Sequence, residues 1–390
     1  MKKRTSILVV IMLMLAMLTS CMGEKQGTEV TTTTSVAVSS SETQTTSETS
    51  KEASKYPYQF VDSLGREFVL EQPLEKVIVL NRQTAEAFKI LDIDDKVIAV
   101  GDTVHKNNSY LGYNDLPDMG KIKELNVESI IDMKPDAVFV HTNRAMELED
   151  VLTPAGIKVI RIDNYQPEKY EEELMLLAEI FDKTERAKEF LAYRKNMEAD
   201  LQERVSKVAE DARPKIMALS AGFLNSKGGY RIFPCYSNDG TMGVGEGYST
   251  ILLGAKDASP EIVYDKAEAS TTVMVDEEYA LSCNPDVITL HGTWLGGYEA
   301  ADEAEFDKVV ENIYQISSIG KMKAGQEKKV YIFHTDFLGA SKRHIGLMQL
   351  GKYLYPEQFA DVDVEVFAKE YFEKWLGAEF KGIWYYEVKK

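Results

Sequence analysis

From residue 182 to residue 211 the chain runs without a glycine or a proline. Within that stretch apolar residues fall at Ala187, Phe190, Leu191, Met197, Leu201, Val205 and Val208. This is the three-and-four spacing of a helix with one buried face. Asp182-Lys183-Thr184-Glu185 has the form of a capping box at its start. Thirty helical residues would reach ~45 Å at ~1.5 Å each, the width of a lobe or more. Such a helix is either a long surface helix or a rigid spine between two halves of a fold. The pattern on its two sides favours the spine.

Ahead of it, short β-branched runs alternate with helical stretches. The runs are Lys76–Leu80, Lys96–Val100, Asp136–Val140 and Lys158–Ile162. An alternating pair, Tyr58–Val61 and Glu67–Leu70, brackets the turn Asp62-Ser63-Leu64-Gly65-Arg66. Behind the long stretch, alternation restarts at Lys215–Ser220. Unbroken β-branched runs separated by helices predict parallel sheets covered on both faces. The two sides also share a detail. Glu128 precedes Pro135-Asp136 by seven residues to the proline, and a strand then runs to His141; Glu278 precedes Pro285-Asp286 by the same seven, and a strand runs to His291. Proline fits where a helix has ended and a strand is about to begin, since it donates to neither ladder.

The first residues read as an address. Lys2, Lys3 and Arg4 precede an apolar run from Ile7 to Leu18, too short at ~18 Å to cross a ~30 Å hydrocarbon core. With its basic flank this is a signal peptide, residues 1–20. Leu18-Thr19-Ser20-Cys21 resembles the bacterial lipobox, which makes Cys21 the expected lipidated N-terminus. Residues 22–55 hold 16 serines or threonines in 34 positions and no aromatic residue, too little apolar surface to order a chain. A flexible tether, residues 21–55, is therefore expected, with the body held on the outer face of a membrane by its lipid alone. The formal net charge is −18, and becomes −21 without the leader. A nucleic-acid partner is excluded, because it needs a basic face.

From these residues the chain resembles the class III substrate-binding proteins of ABC importers, the family that carries ferric siderophores, haem and cobalamin. The resemblance rests on Asp62-x-x-Gly65-Arg66, Pro73-x-x-Lys76-Val77-Ile78-Val79-Leu80 and Leu116-Pro117-Asp118-Met119-Gly120. It continues through the two Pro-Asp segments with their upstream glutamates, the long helix, and Leu354-Tyr355-Pro356-Glu357. It covers about residues 56–390. It implies an α/β fold of two Rossmann-like lobes, 56–181 and 212–390, joined by one backbone helix, 182–211, with a ligand cleft between the lobes. It also implies a monomer that closes slightly on its ligand. Glu128 and Glu278 match the family's glutamates that dock onto the permease dimer. A helix-dipole role as first-turn acids fits them equally.

In open α/β sheets ligands bind beyond the carboxyl ends of the strands. The loops there carry Arg82, His105, His141, Arg144 and Tyr165 in the first half. In the second half they carry Arg231, Tyr236, His291, Trp294, His334 and Arg343. All five histidines of the chain fall in such loops. Histidine can hydrogen-bond a chelate, bind haem iron or ligate a bare metal, and arginine offers a bidentate fork to carboxylate or catecholate oxygens. Trp294 suits stacking on a flat ligand or core packing.

No enzyme motif survives inspection. Gly243-Val244-Gly245-Glu246-Gly247 misses the dinucleotide fingerprint at its last position and carries an acid that repels phosphate. Cys235 and Cys283 are read as buried thiols, with a disulfide as the lesser alternative. The expected function is a lipid-anchored protein without intrinsic cofactor or resident metal. It would capture a ferric siderophore-type chelate and deliver it to an ABC permease. Haem, cobalamin or a directly held metal ion are the alternatives within the fold, and an enzyme or assembly factor lies further away.

Overall fold

The computed structural model describes residues 55–224, 229–268, 270–292 and 295–388. The leader, most of the tether and Cys21 lie outside them.

The first half opens with an antiparallel hairpin, β1 (Tyr58–Val61) and β2 (Glu67–Leu70). Its turn explains the Asp62-x-x-Gly65-Arg66 motif. Asp62 Oδ1 accepts from the backbone N–H groups of Leu64 and Arg66, both at 3.0 Å, and Gly65 takes a left-handed φ of 78°. The elements that follow are β3 (Val77–Val79), α1 (Arg82–Ile90), β4 (Val97–Val100), α2 (Asp102–Asn107) and α3 (Val127–Met133). Then come β5 (Ala137–Val140), α4 (Leu148–Leu152), β6 (Lys158–Arg161) and α5 (Tyr170–Ile180). The four core strands are parallel in the order β4-β3-β5-β6. Every residue of β3 and β5 is buried, as the unbroken apolar runs require.

The spine, α6, runs unbroken from Thr184 to Ser206. It is shorter than the expected 182–211. Asp182 has φ 58° and stands outside the helix, where its carboxylate takes Lys55 Nζ at 2.7 Å. The capping box is therefore not made, and Lys183 caps without a side-chain bond. At the other end Ala209 turns extended. The buried face is Ala187, Phe190, Leu191, Arg194, Met197, Leu201 and Val205. Phe190 meets Trp375 edge-on at 5.0 Å, and the Arg194 guanidinium lies 4.0 Å over the Tyr170 ring. One buried apolar cluster runs from Phe60 and Phe88, through the spine, to Phe333, Leu347 and Trp375. Both lobes thus lean on one helix.

The second half contains β7 (Lys215–Ser220), β8 (Tyr230–Ile232), α7 (Gly245–Leu252), β9 (Lys256–Asp257), β10 (Val273–Val275), α8 (Glu277–Cys283) and β11 (Val287–Gly292). It continues with α9 (Ala304–Gln315), α10 (Lys323–Gln326), β12 (Val330–His334), α11 (Thr335–Leu338), α12 (Arg343–Leu354), α13 (Val364–Glu370) and β13 (Tyr385–Glu387). The sheet order is β10-β8-β7-β11-β12-β13, with β9 beside β7. Strands β7, β9, β11 and β12 are parallel, β8 and β13 run antiparallel to them, and β10 pairs antiparallel with β8. The runs expected to be parallel, β7, β11 and β12, are parallel; the short strands β8, β10 and β13 add antiparallel pairs. Arg231, read as a loop residue, lies in the short antiparallel strand β8.

The matched Pro-Asp segments are equivalent devices. Asn126 and Asp276 cap α3 and α8, accepting from the N–H groups of Ser129 and Tyr279. Lys134 and Asn284 end those helices in left-handed conformations. Asp136 then accepts from the Glu75 and Lys76 N–H groups at 2.8 and 2.9 Å. Asp286 accepts from Lys215 N–H at 2.8 Å. Each aspartate ties the start of its own strand to the start of the neighbouring one. Glu128 and Glu278 stand exposed in the first turns of α3 and α8.

Candidate functional site

Between the lobes lies an open cleft of about 330 Å³. Its first wall is made where β3, β5 and β6 end: Arg82 and Gln83, then His141, Asn143 and Arg144, then Tyr165. The facing wall comes from Phe233, the start of α7 with Glu246, Thr271, and the start of α11 with Thr335 and Asp336.

The first wall is held in place by its own strand ends. Arg161, the last residue of β6, is fully buried. Its Nη1 donates to the His141 carbonyl at 2.9 Å and to the Arg144 carbonyl. Its Nη2 donates to the Ala145 carbonyl at 2.9 Å, and Nε to Glu149 at 2.7 Å. One guanidinium fork therefore sets the path of the loop carrying His141, Asn143 and Arg144. Two residues on, Asp163 holds the side chains. It faces His141 Nδ1 at 3.2 Å and accepts from Thr142 N–H at 3.0 Å and Thr142 Oγ1 at 2.8 Å. Burial alone would raise the Asp163 carboxyl; the bonds from His141 and Thr142 outweigh it and keep the group below the usual range. The Tyr165 ring stands edge-on to His141 at 5.5 Å.

Charge crosses the cleft floor. Arg82 Nε donates to Asp336 Oδ1 at 2.9 Å. Asn108 Nδ2 approaches the other Asp336 oxygen at 3.4 Å and donates to Tyr110 Oη at 3.0 Å. Lys342 Nζ, itself buried, donates to Tyr110 Oη at 3.0 Å and to Glu86. Burial works against both ions of the first pair. Arg82 holds Asp336 far below the carboxylate range despite it. Glu246 goes the other way: burial pushes its carboxyl up to about 7, against its own backbone N–H, Arg82 and the Thr335 hydroxyl, which favour the ionised form, while Asp336 adds a smaller rise than Arg82 removes.

The glycines of Gly243-Val244-Gly245-Glu246-Gly247 are packing devices. A Cβ on Gly245 would sit 2.3 Å from the Leu338 carbonyl oxygen. On Gly243 or Gly247 it would meet Pro234 O at 2.4 or 2.3 Å. Backbone approaches backbone here, and that approach places Glu246 against α11.

Of the expected site residues, Arg82, His141, Arg144 and Tyr165 meet in the cleft. The others named below do not line it. His105 sits on α2. Arg231 donates to Thr272 at 3.1 Å. Tyr236 is exposed, with its ring against Tyr248. His291 is buried between Phe233 and Phe333, its Nε2 2.9 Å from Thr289, and burial pushes it down to about 3. His334 accepts from the Asp336 N–H, and Arg343 pairs with Glu198 at 3.1 Å. Trp294 lies outside the described residues. Cys235 and Cys283 are free thiols; Cys235 is buried as expected, but Cys283 is only half-buried. Sequence reasoning missed Glu246 as a cleft residue, and Arg161 and Asp163 as its supports; two charged residues closing one buried strand were the available signal.

A model of the family described as "Periplasmic binding protein" matches residues 77–336, two thirds of the chain. The molybdate-binding protein MolA of Haemophilus influenzae is 22% identical over 357 residues, covering 82% of this chain and 91% of MolA. Its molybdate-bound structure superposes with a TM-score of 0.64 at 20% identity, covering 83% of this chain and 99% of that one. The TroA-like periplasmic binding protein FepB of Veillonella parvula gives 0.66 at 21% identity, covering 85% and 99%. Helicobacter pylori CeuE with Ni(II) bound gives 0.60 at 17%, covering 83% and 97%.

Proposed function

This chain belongs to the periplasmic binding protein family, solute-binding proteins that serve ABC permeases and are not enzymes, and we propose that its interlobe cleft captures a compact anionic metal species. The observation that carries this reading is the convergence of Arg82, Arg144 and His141 on one wall of the cleft. Two guanidinium groups offer donors in fixed geometry to oxygen atoms. His141, steadied through Nδ1 by Asp163, leaves Nε2 for an oxygen or a metal. A ferric chelate with outward carboxylate or catecholate oxygens meets these donors. A volume of about 330 Å³ lies at the small end of the ~300–1,000 Å³ usual for ligand pockets. The described lining carries two aromatic rings, Tyr165 and Phe233. Both points weigh against haem and cobalamin.

The same small, polar cleft favours a second reading, a bare oxyanion of the molybdate kind, which the resemblance to MolA supports. In either case Glu128 and Glu278, exposed at equivalent first turns, would present the loaded protein to the permease, and lipidation at Cys21 would keep it at the membrane.

Titration of the purified protein with ferric citrate, a ferric tricatecholate, molybdate, Ni(II), haem and cobalamin tests this. Saturable binding of a ferric chelate or molybdate, weakened ~10-fold or more in Arg144→Ala, is the expected result. Saturation by haem alone, with a Soret shift lost in His141→Ala, would overturn it.

A further inference from the structure

The cleft contains one acid more than its cross-lobe ion pair needs. Asp336 already neutralises Arg82, at 2.9 Å. Glu246 lines the same cavity as both and is itself buried, 6% exposed. Its backbone is fixed there by packing, because Gly245 lets α7 approach Leu338 and Gly339 to within contact, and its carboxyl takes a hydrogen bond from Thr335. Ser249 Oγ fastens the same turn to the Leu338 carbonyl at 3.3 Å.

The charges facing Glu246 can be followed element by element. From α1 comes Arg82, and from α11 come Asp336 and Thr335. His334, at the end of β12, stands behind Asp336. From α12 comes Arg343, which faces Tyr248 of α7 and is paired with Glu198. On β9, Asp257 is turned toward Cys235. Across the cleft are His141 and Arg144. With Glu246 ionised, two arginines face two carboxylates and the lining has no net charge from these four groups. With Glu246 protonated, the same lining is cationic.

We propose that Glu246 is a specificity-determining residue which couples anion capture in this cleft to the uptake of one proton. The proposal rests on the anion reading of the cleft given above. An incoming anion would share one cavity, and the field of the same Arg82, with the Glu246 carboxylate. In a buried site two anions sharing one cation repel strongly, and the cheapest relief is a proton on the carboxyl. The ionised form then refuses the anion and the protonated form accepts it and donates to it. Linkage makes the effect reciprocal: the bound anion raises proton affinity by the factor that the proton raises anion affinity. The group titrates near neutrality already without ligand, so the coupling acts at ordinary pH.

The test is calorimetric titration with molybdate and with a hexadentate ferric tricatecholate from about pH 5.5 to about pH 8.5, in buffers of different ionisation enthalpy. Affinity is expected to fall by nearly tenfold per pH unit above about 7, with close to one proton taken up per ligand. Glu246→Gln should bind with a flat pH profile and no proton uptake. His141→Gln should bind more weakly but keep the slope. Flat binding by the parent protein, or an unchanged slope in Glu246→Gln, overturns the coupling while leaving the anion site standing. Failure of both probes to bind the parent and Glu246→Gln at every pH overturns the anion reading itself, and the coupling with it.

Discussion

Arg82 and Asp336 lie 254 residues apart in sequence and meet at 2.9 Å between the lobes. One turn further along the same helix, Glu86 of α1 meets Lys342. The first lobe thus offers a cation and then an anion from one helix face, and the second lobe answers with the opposite order. Two crossed pairs fix both the register and the distance of the lobes at the cleft floor, while the spine and its continuous apolar cluster carry the load behind them.

Breaking one of these pairs should be costly, because the survivor is left as an uncompensated buried charge. Lys342→Met and Glu86→Gln are each expected to lose ~3–5 kcal/mol of unfolding free energy. The double variant should lose clearly less than the sum. Urea denaturation of the four proteins completes the cycle, and strict additivity would refute the pairing.

Arg161 is expected to act on ligand affinity from outside the cleft. Arg161→Lys keeps a cation but cannot reach three carbonyls and Glu149 together. About tenfold weaker ligand binding is expected, with a stability loss of about 1–3 kcal/mol. Equal affinity in the two proteins, measured by titration on folded samples, would count against a role in shaping the 141–145 loop.

Stability should depend on pH with two opposed limbs. Glu246 is raised to about 7 from 4.5, so between those values the native state holds the extra proton. Stability therefore falls as pH rises through that window, by an amount on the order of 3 kcal/mol. His291 is depressed to about 3 from 6.5, so here the unfolded chain holds more protons and stability falls as pH drops below 6.5. Glu246→Gln should gain on the parent above pH 7, gain nothing near pH 4.5, and keep the acid limb. A constant offset across denaturation midpoints would show that Glu246 does not titrate this way.

Gly245→Ala would force a Cβ to 2.3 Å from the Leu338 carbonyl oxygen and 2.6 Å from Gly339 Cα. A loss of about 2 kcal/mol is expected, seen as a lower thermal midpoint, together with weakened ligand binding because Glu246 rides on the same turn. A variant as stable as its parent would mean the turn yields freely.

Charge reversal at the two exposed first-turn glutamates should separate binding from delivery. Glu128→Lys with Glu278→Lys is expected to leave ligand affinity unchanged. Uptake into proteoliposomes carrying the permease should be abolished, with the parent's uptake declining as salt rises. Undiminished uptake by the double variant would remove these residues from the docking surface.

Local patterns determined much of this protein. The hairpin, the buried parallel strands, the long helix and the paired Pro-Asp turns were legible in order, because each is written in a short period or a single turn residue. Strands β8, β10 and β13 were not. They are three residues each, too short to show alternation, and their antiparallel pairing follows from where the chain returns. Arg82, His141, Arg144 and Tyr165 were legible as strand-end residues. His291 and His334 share that position, yet burial between rings or behind a turn removes them from the cleft. The tertiary structure alone decided that Glu246 would face Arg82, that Arg161 would bind the His141 loop, and that Lys342 would meet Glu86. The reason is physical: backbone sterics and burial act over a few residues and leave a periodic mark, whereas a charge pair between lobes depends on the whole path of the chain and leaves none.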